Sequence, residues 1–215
     1  MILIACQQGT PEWFQARAGK ITASMFSTAC DYLKPTKSDS SLRPSQKNLD
    51  YAYRVAVEQI YGQTTEDTYV TWEMRRGTDL EPLARISYES RTGNLAEESG
   101  IVTTDDELFA YSTDGLVNDD GLIEIKSPNA ARKLVEIWTT GDLSEYMHQI
   151  QGGLWLTGRK WLDFVMYAPQ LQSVGKDLFI KRIERDEDFI ETMEQQLWGF
   201  AKRVQSHVDM LKEAA

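Results

Sequence analysis

The chain has 215 residues, 41% of them hydrophobic and 26% charged, the make-up of an ordinary globular protein with length for one domain and a sizeable core. No apolar run is long enough to span a membrane, and the opening Met1-Ile2-Leu3-Ile4-Ala5-Cys6 lacks the basic region of a signal peptide, so a cytoplasmic location is the default. Two cysteines and two histidines supply neither a disulfide framework nor a zinc or iron–sulfur set, and a net charge of −10 argues against a broad nucleic-acid-binding surface.

In chain order, Ile2 to Ala5 reads as a short strand or docked arm. Thr10-Pro11-Glu12 is a helix start, with a hydroxyl cap, proline at the first helical position and then an acid. That helix carries Trp13 and Phe14 and stops at Gly19, with Arg17 near its end. Thr22 to Cys30 reads as a second helix with Ser24 near its start. Lys34 to Asn48 reads as a polar loop and is the most basic stretch, with Lys34, Lys37, Arg43 and Lys47. It suits a DNA backbone or plain solvent equally. Leu49 to Tyr61 is helical and ends at Gly62. A further helix runs from about Thr78 to Ser90, with Glu81 in its first turns, where an acid suits the helix dipole. Met74 precedes it. Asn94 to Thr103 reads as one strand.

Two apolar runs, Phe109 to Val117 and Leu122 to Ile125, flank the turn Asn118-Asp119-Asp120-Gly121, which is a hairpin signal. Strand residues two apart share a face, so Glu124 and Lys126 point together and Ile125 points away. The hairpin brings Asp114 beside Glu124. A carboxylate pair in an apolar setting calls for a compensating cation, and magnesium, which needs only one or two carboxylates, is the natural one. The Ile125 backbone carbonyl is a further candidate oxygen. Lys126 then orients the attacking water and stabilises negative charge in a phosphoryl transition state.

Past the hairpin, a helix runs from Pro128 to about Trp138, and another, capped by Asp142 or Ser144, to about Thr157. On the latter Tyr146, Gln149, Ile150, Gly153 and Leu154 recur at three and four, which puts Gln149 on a buried face where its amide needs partners. His148 lies on another face and reads as structural or exposed. Trp161 to Ala168 and Asp177 to Ile183 are strands. Asp186 caps a long amphipathic helix with Ile190, Met193, Leu197, Ala201, Val204, Val208 and Leu211 on its apolar stripe.

Thr113-Asp114 … Glu124-Ile125-Lys126 resembles the PD-(D/E)xK nuclease motif, with threonine in place of its proline. The substitution touches mainly backbone shape and is not expected to abolish activity. Together with Trp13 … Arg17-Ala18-Gly19-Lys20-Ile21-Thr22-Ala23-Ser24, Arg76-Gly77-Thr78-Asp79-Leu80-Glu81 and Tyr146-Met147-His148-Gln149-Ile150-Gln151, it resembles the viral-recombinase family of these nucleases, the family of phage lambda exonuclease. The resemblance covers most of the chain. It implies an α/β fold with a mixed central sheet flanked by helices, one nuclease domain over residues 1–215. It also implies a magnesium-dependent 5′→3′ exonuclease on linear duplex DNA, with manganese as a substitute ion.

In the roles it implies, Asp114, Glu124 and the Ile125 carbonyl hold the metal. Glu81 is a third carboxylate, and Lys126 and Gln149 position water and phosphate. Arg17, Ser24 and Ser112 take the terminal 5′-phosphate; without the resemblance, Arg17 reads as a surface charge and Ser24 as a helix-start residue. The resemblance further implies a ring-shaped homotrimer, a single-strand-annealing partner and a phage or prophage origin. A wedge role for Met74 follows from it only weakly. Residue spacing alone reaches a metal-dependent nuclease. A restriction-type endonuclease and a non-catalytic DNA-interaction protein are the rival readings.

Overall fold

A computed structural model describes residues 1–34, 42–65 and 72–213. Lys37 of the basic stretch and residues 66–71 lie outside the described residues. The first elements are β1 (Ile2–Ile4), α1 (Pro11–Arg17) and β2 (Ile21–Thr22), then a 3-10 turn at Ala23–Met25 and the single-turn α2 (Phe26–Ala29). Next come β3 (Tyr32–Leu33), β4 (Arg43–Pro44), α3 (Gln46–Tyr61), α4 (Trp72–Thr92), β5 (Ala96–Glu97), β6 (Ile101–Thr103), β7 (Phe109–Ser112), β8 (Gly115–Val117) and β9 (Gly121–Lys126). The chain continues with α5 (Ala131–Thr140), a 3-10 turn at Ser144–Tyr146, α6 (Met147–Thr157), β10 (Trp161–Tyr167), a 3-10 stretch at Pro169–Val174, β11 (Leu178–Glu184) and α7 (Glu187–Glu213).

The expected mixed α/β architecture is present, with its larger strands in two sheets. One runs β1-β6-β7-β2 and the other β11-β10-β9-β8-β5. The β9–β10 pairing is parallel and β8–β9 and β10–β11 are antiparallel. The alternation of β9 sorts its side chains as a strand must. Ile123 and Ile125 pack with Ala84 and Tyr88 of α4, while Leu122 joins the larger core with Phe164 of β10 and Ile150 and Leu154 of α6. Glu124 follows Leu122 onto the α6 side, where it meets Gln149.

Several boundaries differ from the sequence reading. The run Phe109 to Val117 is not one hairpin arm. It breaks at Thr113-Asp114, where the chain leaves the first sheet and enters the second. The stretch 94–103 is likewise two strands in different sheets, separated at Gly100, where a Cβ would lie 1.9 Å from the Ile4 carbonyl oxygen. Thr22 to Cys30 is not a continuous helix. The β-branched pair Ile21-Thr22 joins β7 as a parallel strand, and only short turns follow. Arg43 and Pro44 pair with β3 rather than forming loop, and Ser45 caps α3 through the Asn48 N–H at 3.2 Å.

Helix α4 begins at Trp72, not Thr78, and passes through Pro82, whose missing N–H leaves the carbonyl of Thr78, an exposed residue, without its usual helical donor. Helix α5 starts at Ala131, three residues beyond Pro128. On α7, Phe200 is buried where Ala201 was expected, and Leu211 is exposed. Among the described residues no helix is long and apolar enough to cross a membrane.

Candidate active site

The strand break at Thr113-Asp114 is the frame of the site. Thr113 is buried, and its hydroxyl donates to the Gly115 carbonyl at 3.0 Å while accepting from the Gly115 N–H at 3.2 Å. These bonds fix the step between sheets and aim Asp114 across at β9. Asp114 Oδ2 accepts the Ile125 N–H at 2.7 Å. Extending the β8–β9 register from Gly115↔Ile123 by one residue sets Asp114 opposite Glu124. Asp114 is 9% exposed and Glu124 2%.

Glu124 is held from three directions. Its Oε1 accepts from Lys126 Nζ at 2.6 Å and from Gln149 Nε2 at 2.5 Å, and its Oε2 accepts from the Tyr111 hydroxyl at 3.2 Å. Gln149 reaches this far because α6 presents Gly152 and Gly153 to the residues beneath it. A Cβ on Gly153 would lie 2.6 Å from the Tyr111 ring, and one on Gly152 2.5 Å from Phe26. Glu81, on α4, accepts from Arg85 Nη2 at 2.9 Å. It adds to the negative potential felt by Asp114 and Lys126 without bonding to them.

The electrostatics show a surplus of negative charge. Burial, then the Glu124 carboxylate, pushes the Asp114 carboxyl well above the usual range, against an opposing pull from Lys126. Burial alone would lower the Lys126 ammonium, but Glu124, Asp114 and Glu81 outweigh it and hold Lys126 above its ordinary value. Burial also raises Glu81, against the opposing effect of Arg85.

This donor set fits a hard divalent cation. Two buried carboxylates share one ammonium, and among the described residues Asp114 Oδ1 accepts no protein hydrogen bond. Magnesium completes its shell with water around one or two carboxylates. Among the described residues no three His, Cys, Asp or Glu side chains converge as a ready-made metal cluster, which agrees with Glu81 standing apart on Arg85. The Ile125 backbone meets Asp114 through its N–H.

Of the residues expected at a 5′-phosphate, Ser112 and Arg17 are linked through Trp13. The indole N–H donates to Ser112 Oγ at 2.6 Å, and the Arg17 guanidinium lies 4.3 Å from the Trp13 ring. Arg17 lines a small cleft with Lys20, Thr22, Tyr51, Arg54 and Glu58. Ser24 does not line it and touches it through Thr22, the two hydroxyls being 3.4 Å apart. Ser24, expected at a helix start, lies in a 3-10 turn. His148 packs on Phe189, as a structural residue would, and burial lowers its pKa. Met74 is exposed on the first turn of α4.

Sequence reasoning gave no role to Tyr111, Arg85, Trp13, Lys20 or Arg54. Trp13 and Lys20 lie in a segment that carries the resemblance, and Arg85 follows Glu81 at i+4.

The YqaJ-like viral recombinase domain model matches residues 12–160, a stretch that includes every site residue named above. The chain belongs to that family. An alkaline exonuclease, LHK-Exo, from Laribacter hongkongensis is 34% identical, with 95% of this chain and 97% of that one covered and a TM-score of 0.81. Its complex with dAMP aligns with a TM-score of 0.82. A phage-related exonuclease from Haemophilus somnus shares the fold at 15% identity and a TM-score of 0.69, covering 91% of this chain and 96% of that one. No curated protein matches the chain. Family and fold thus agree with the architecture and motif expected from the sequence.

Proposed function

We propose that the protein is a magnesium-dependent 5′→3′ exonuclease. It degrades one strand of linear duplex DNA from a 5′-phosphorylated end and leaves a 3′ single-stranded overhang. The observation that carries the reading is the buried Asp114–Glu124 pair, compensated by a single ammonium and set beside Gln149 at the step between the sheets. The relative at 34% identity is an alkaline exonuclease and has been crystallised with dAMP, the class of product that stepwise hydrolysis of a DNA strand releases.

Asp114 and Glu124, with the Ile125 carbonyl, are the residues that would hold the ion, and Glu81 flanks them. The bound ion supplies Lewis-acid stabilisation of phosphodiester oxygens. Lys126, bonded to Glu124, would donate hydrogen bonds to the attacking water and to the charge that builds on the phosphate. The Gln149 amide orients the same water or the phosphate from the opposite side. Arg17 and Ser112, joined through Trp13, and Ser24, adjoining through Thr22, receive the terminal phosphate. Water attacks phosphorus, the bond to the leaving 3′-oxygen breaks, and a nucleoside 5′-monophosphate departs.

Net charge and function are reconciled if cations gather in clefts. Arg17, Lys20 and Arg54 line one cleft, and Arg75 and Arg76 another. The same reading takes the chain as one nuclease domain, because the larger core joins Phe109 and Tyr111 of one sheet to Leu122 and Phe164 of the other. It also takes the protein as a cytoplasmic, phage- or prophage-encoded enzyme that works as a homotrimer with a single-strand-annealing protein.

The test is digestion of linear duplex DNA bearing a 5′-phosphate, with magnesium or with chelator, beside 5′-hydroxyl and closed circular substrates. The expected result is magnesium-dependent loss of the 5′-phosphorylated strand alone, reduced at least a hundredfold in Lys126→Ala. Cutting of closed circles would replace the reading with an endonuclease, and no cleavage of any substrate would leave a DNA-interaction protein.

A further inference from the structure

Tyr111 carries a hydroxyl deep into the protein. Alternation along β7 turns Ser112 towards Trp13 and Tyr111 to the other face, under α6. There Tyr111 is 2% exposed and packs in the larger core with Phe26, Ile150 and Leu154. A phenylalanine would fill nearly the same volume, and a buried hydroxyl lowers stability unless it is bonded. The Tyr111 hydroxyl donates to Glu124 Oε2 at 3.2 Å.

The two oxygens of Glu124 are not equivalent. A carboxylate oxygen offers two lone pairs. Those of Oε1 are both engaged, by Lys126 Nζ at 2.6 Å and by Gln149 Nε2 at 2.5 Å. Among the described residues Oε2 accepts from Tyr111 alone and keeps a lone pair to give. The Tyr111 bond is also the longest of the three, so it is the one with room to adjust when that oxygen takes a second partner.

The ring of Tyr111 bears on a second member of the site. A Cβ on Gly153 would lie 2.6 Å from the ring, so α6 rests on it at that point. Glycine weakens a helix interior, and this one is required by the ring beneath it. Gln149 and Gly153 are four residues apart and share a face of α6. The side chain that donates to Glu124 therefore also sets how closely the Gln149 face approaches.

We propose that Tyr111 is a positioning residue for the ion site. Its hydroxyl fixes Glu124 Oε2 as the oxygen left for the ion, and its ring sets the depth of the helix face that carries Gln149. The proposal rests on the nuclease reading and deepens it.

The experiment is manganese binding followed by electron paramagnetic resonance without DNA, on wild type, Tyr111→Phe and Gly153→Ala. Tyr111→Phe keeps the ring and removes the donor. It weakens manganese binding about tenfold, a usual loss when the partner of a metal ligand is deleted. In digestion assays the half-saturating magnesium concentration rises by a similar factor, while kcat at saturating magnesium stays within about threefold of wild type. A tyrosine that only filled the core would change the melting temperature and leave the ion dependence unmoved. Gly153→Ala keeps the hydroxyl but displaces the ring. It weakens manganese binding in the same direction and also lowers kcat about tenfold, because Gln149 shifts with its helix face. Should either variant fail to fold, the other carries the manganese readout. Wild-type manganese affinity in Tyr111→Phe overturns the role of the hydroxyl, and wild-type kcat in Gly153→Ala overturns that of the ring. Both outcomes leave the nuclease reading in place. Absence of manganese binding by the wild type overturns the ion site and the proposal together.

Discussion

Two buried acidic clusters lie on neighbouring parallel strands, and they are built to opposite specifications. On β10, Asp163 is 3% exposed and fully answered. Arg182 of β11 grips it with two bonds, Nε to Oδ1 at 2.8 Å and Nη2 to Oδ2 at 2.9 Å, and the Tyr88 hydroxyl donates at 2.8 Å. The guanidinium also stacks 3.5 Å from the Trp161 ring. One anion meets one cation and every carboxylate oxygen is occupied. On β9 and the adjoining strand break, Asp114 and Glu124 share Lys126, and Arg85 is committed to Glu81. Burying charge is costly in both places, but only the first cluster removes the cost with its own residues. The second keeps an electrostatic deficit that a cation from solution can fill. The contrast separates a carboxylate that its own neighbours neutralise from a pair left short of positive charge, the pair proposed above to hold the ion.

The largest effect belongs to the unbalanced cluster. Asp114→Asn should lower nuclease activity by about a thousandfold or more, because it removes a ligand for the ion and the partner of the Ile125 N–H changes character. The same substitution should not harm the metal-free fold. The Asp114 pKa is raised in the folded state, so ionising it opposes folding. Stability is fully present below the ordinary carboxylate range and declines as pH climbs through the raised folded value. At pH 8 without metal, the variant should therefore melt at or above the wild-type temperature, with the gap closing towards pH 4. Magnesium should reverse the order. At a hundredfold excess over Kd it stabilises the wild type by about 3 kcal/mol through mass action and leaves the variant nearly unmoved. Thermal melts with and without magnesium measure both arms. An equal magnesium shift in the two proteins would move the ion site away from Asp114.

The balanced cluster should respond in the reverse sense. Arg182→Ala strands the Asp163 carboxylate in the interior with only Tyr88 as a donor. The expected loss is about 3 kcal/mol of stability, at the low end for a broken buried pair because Arg182 itself is nearly half exposed. Activity per folded molecule should stay within a few-fold of wild type, with magnesium dependence unchanged. Chemical denaturation and steady-state digestion of the same preparation separate the two quantities. A hundredfold loss of activity in a protein that still folds would show that the two clusters are not independent.

Much of this contrast was legible before any coordinates. Strand alternation put Glu124 and Lys126 on one face, the turn at Asn118 to Gly121 set Asp114 opposite them, and three-and-four spacing turned Gln149 inward. These are local signals, and local sequence carries them. What escaped depends on contacts between distant segments. Tyr111 sits in an apolar strand run, where an aromatic normally means core, and its hydroxyl meets Glu124 only because β7 and β9 lie under α6. Gly152 and Gly153 resembled ordinary helix positions, yet both are fixed by rings from other elements. The split of 109–117 between two sheets had no marker in composition, since apolar residues continue on both sides of Thr113-Asp114. The short segment after Ile21 carries Ser, Thr and Ala, which favour a helix start, while pairing of Ile21 and Thr22 with β7 decides the outcome.

Thr113 gives the smallest effect and the finest test of the strand break. The family motif has proline here, which restricts the backbone covalently. In this chain a buried hydroxyl does the work through its bonds with the Gly115 carbonyl and N–H. Thr113→Val keeps the shape and deletes those bonds, leaving the Gly115 N–H without the acceptor it now has. The expected cost is about 1–2 kcal/mol by denaturant titration, the usual range when a buried donor loses its partner. Activity should fall no more than a few-fold, because Asp114 is still held by the Ile125 N–H from the facing strand. No loss of stability would mean that the strands on either side set the break without the side chain. A loss of activity beyond tenfold would mean that the Thr113 hydroxyl determines where Asp114 points, and that the step between sheets belongs to the catalytic geometry itself.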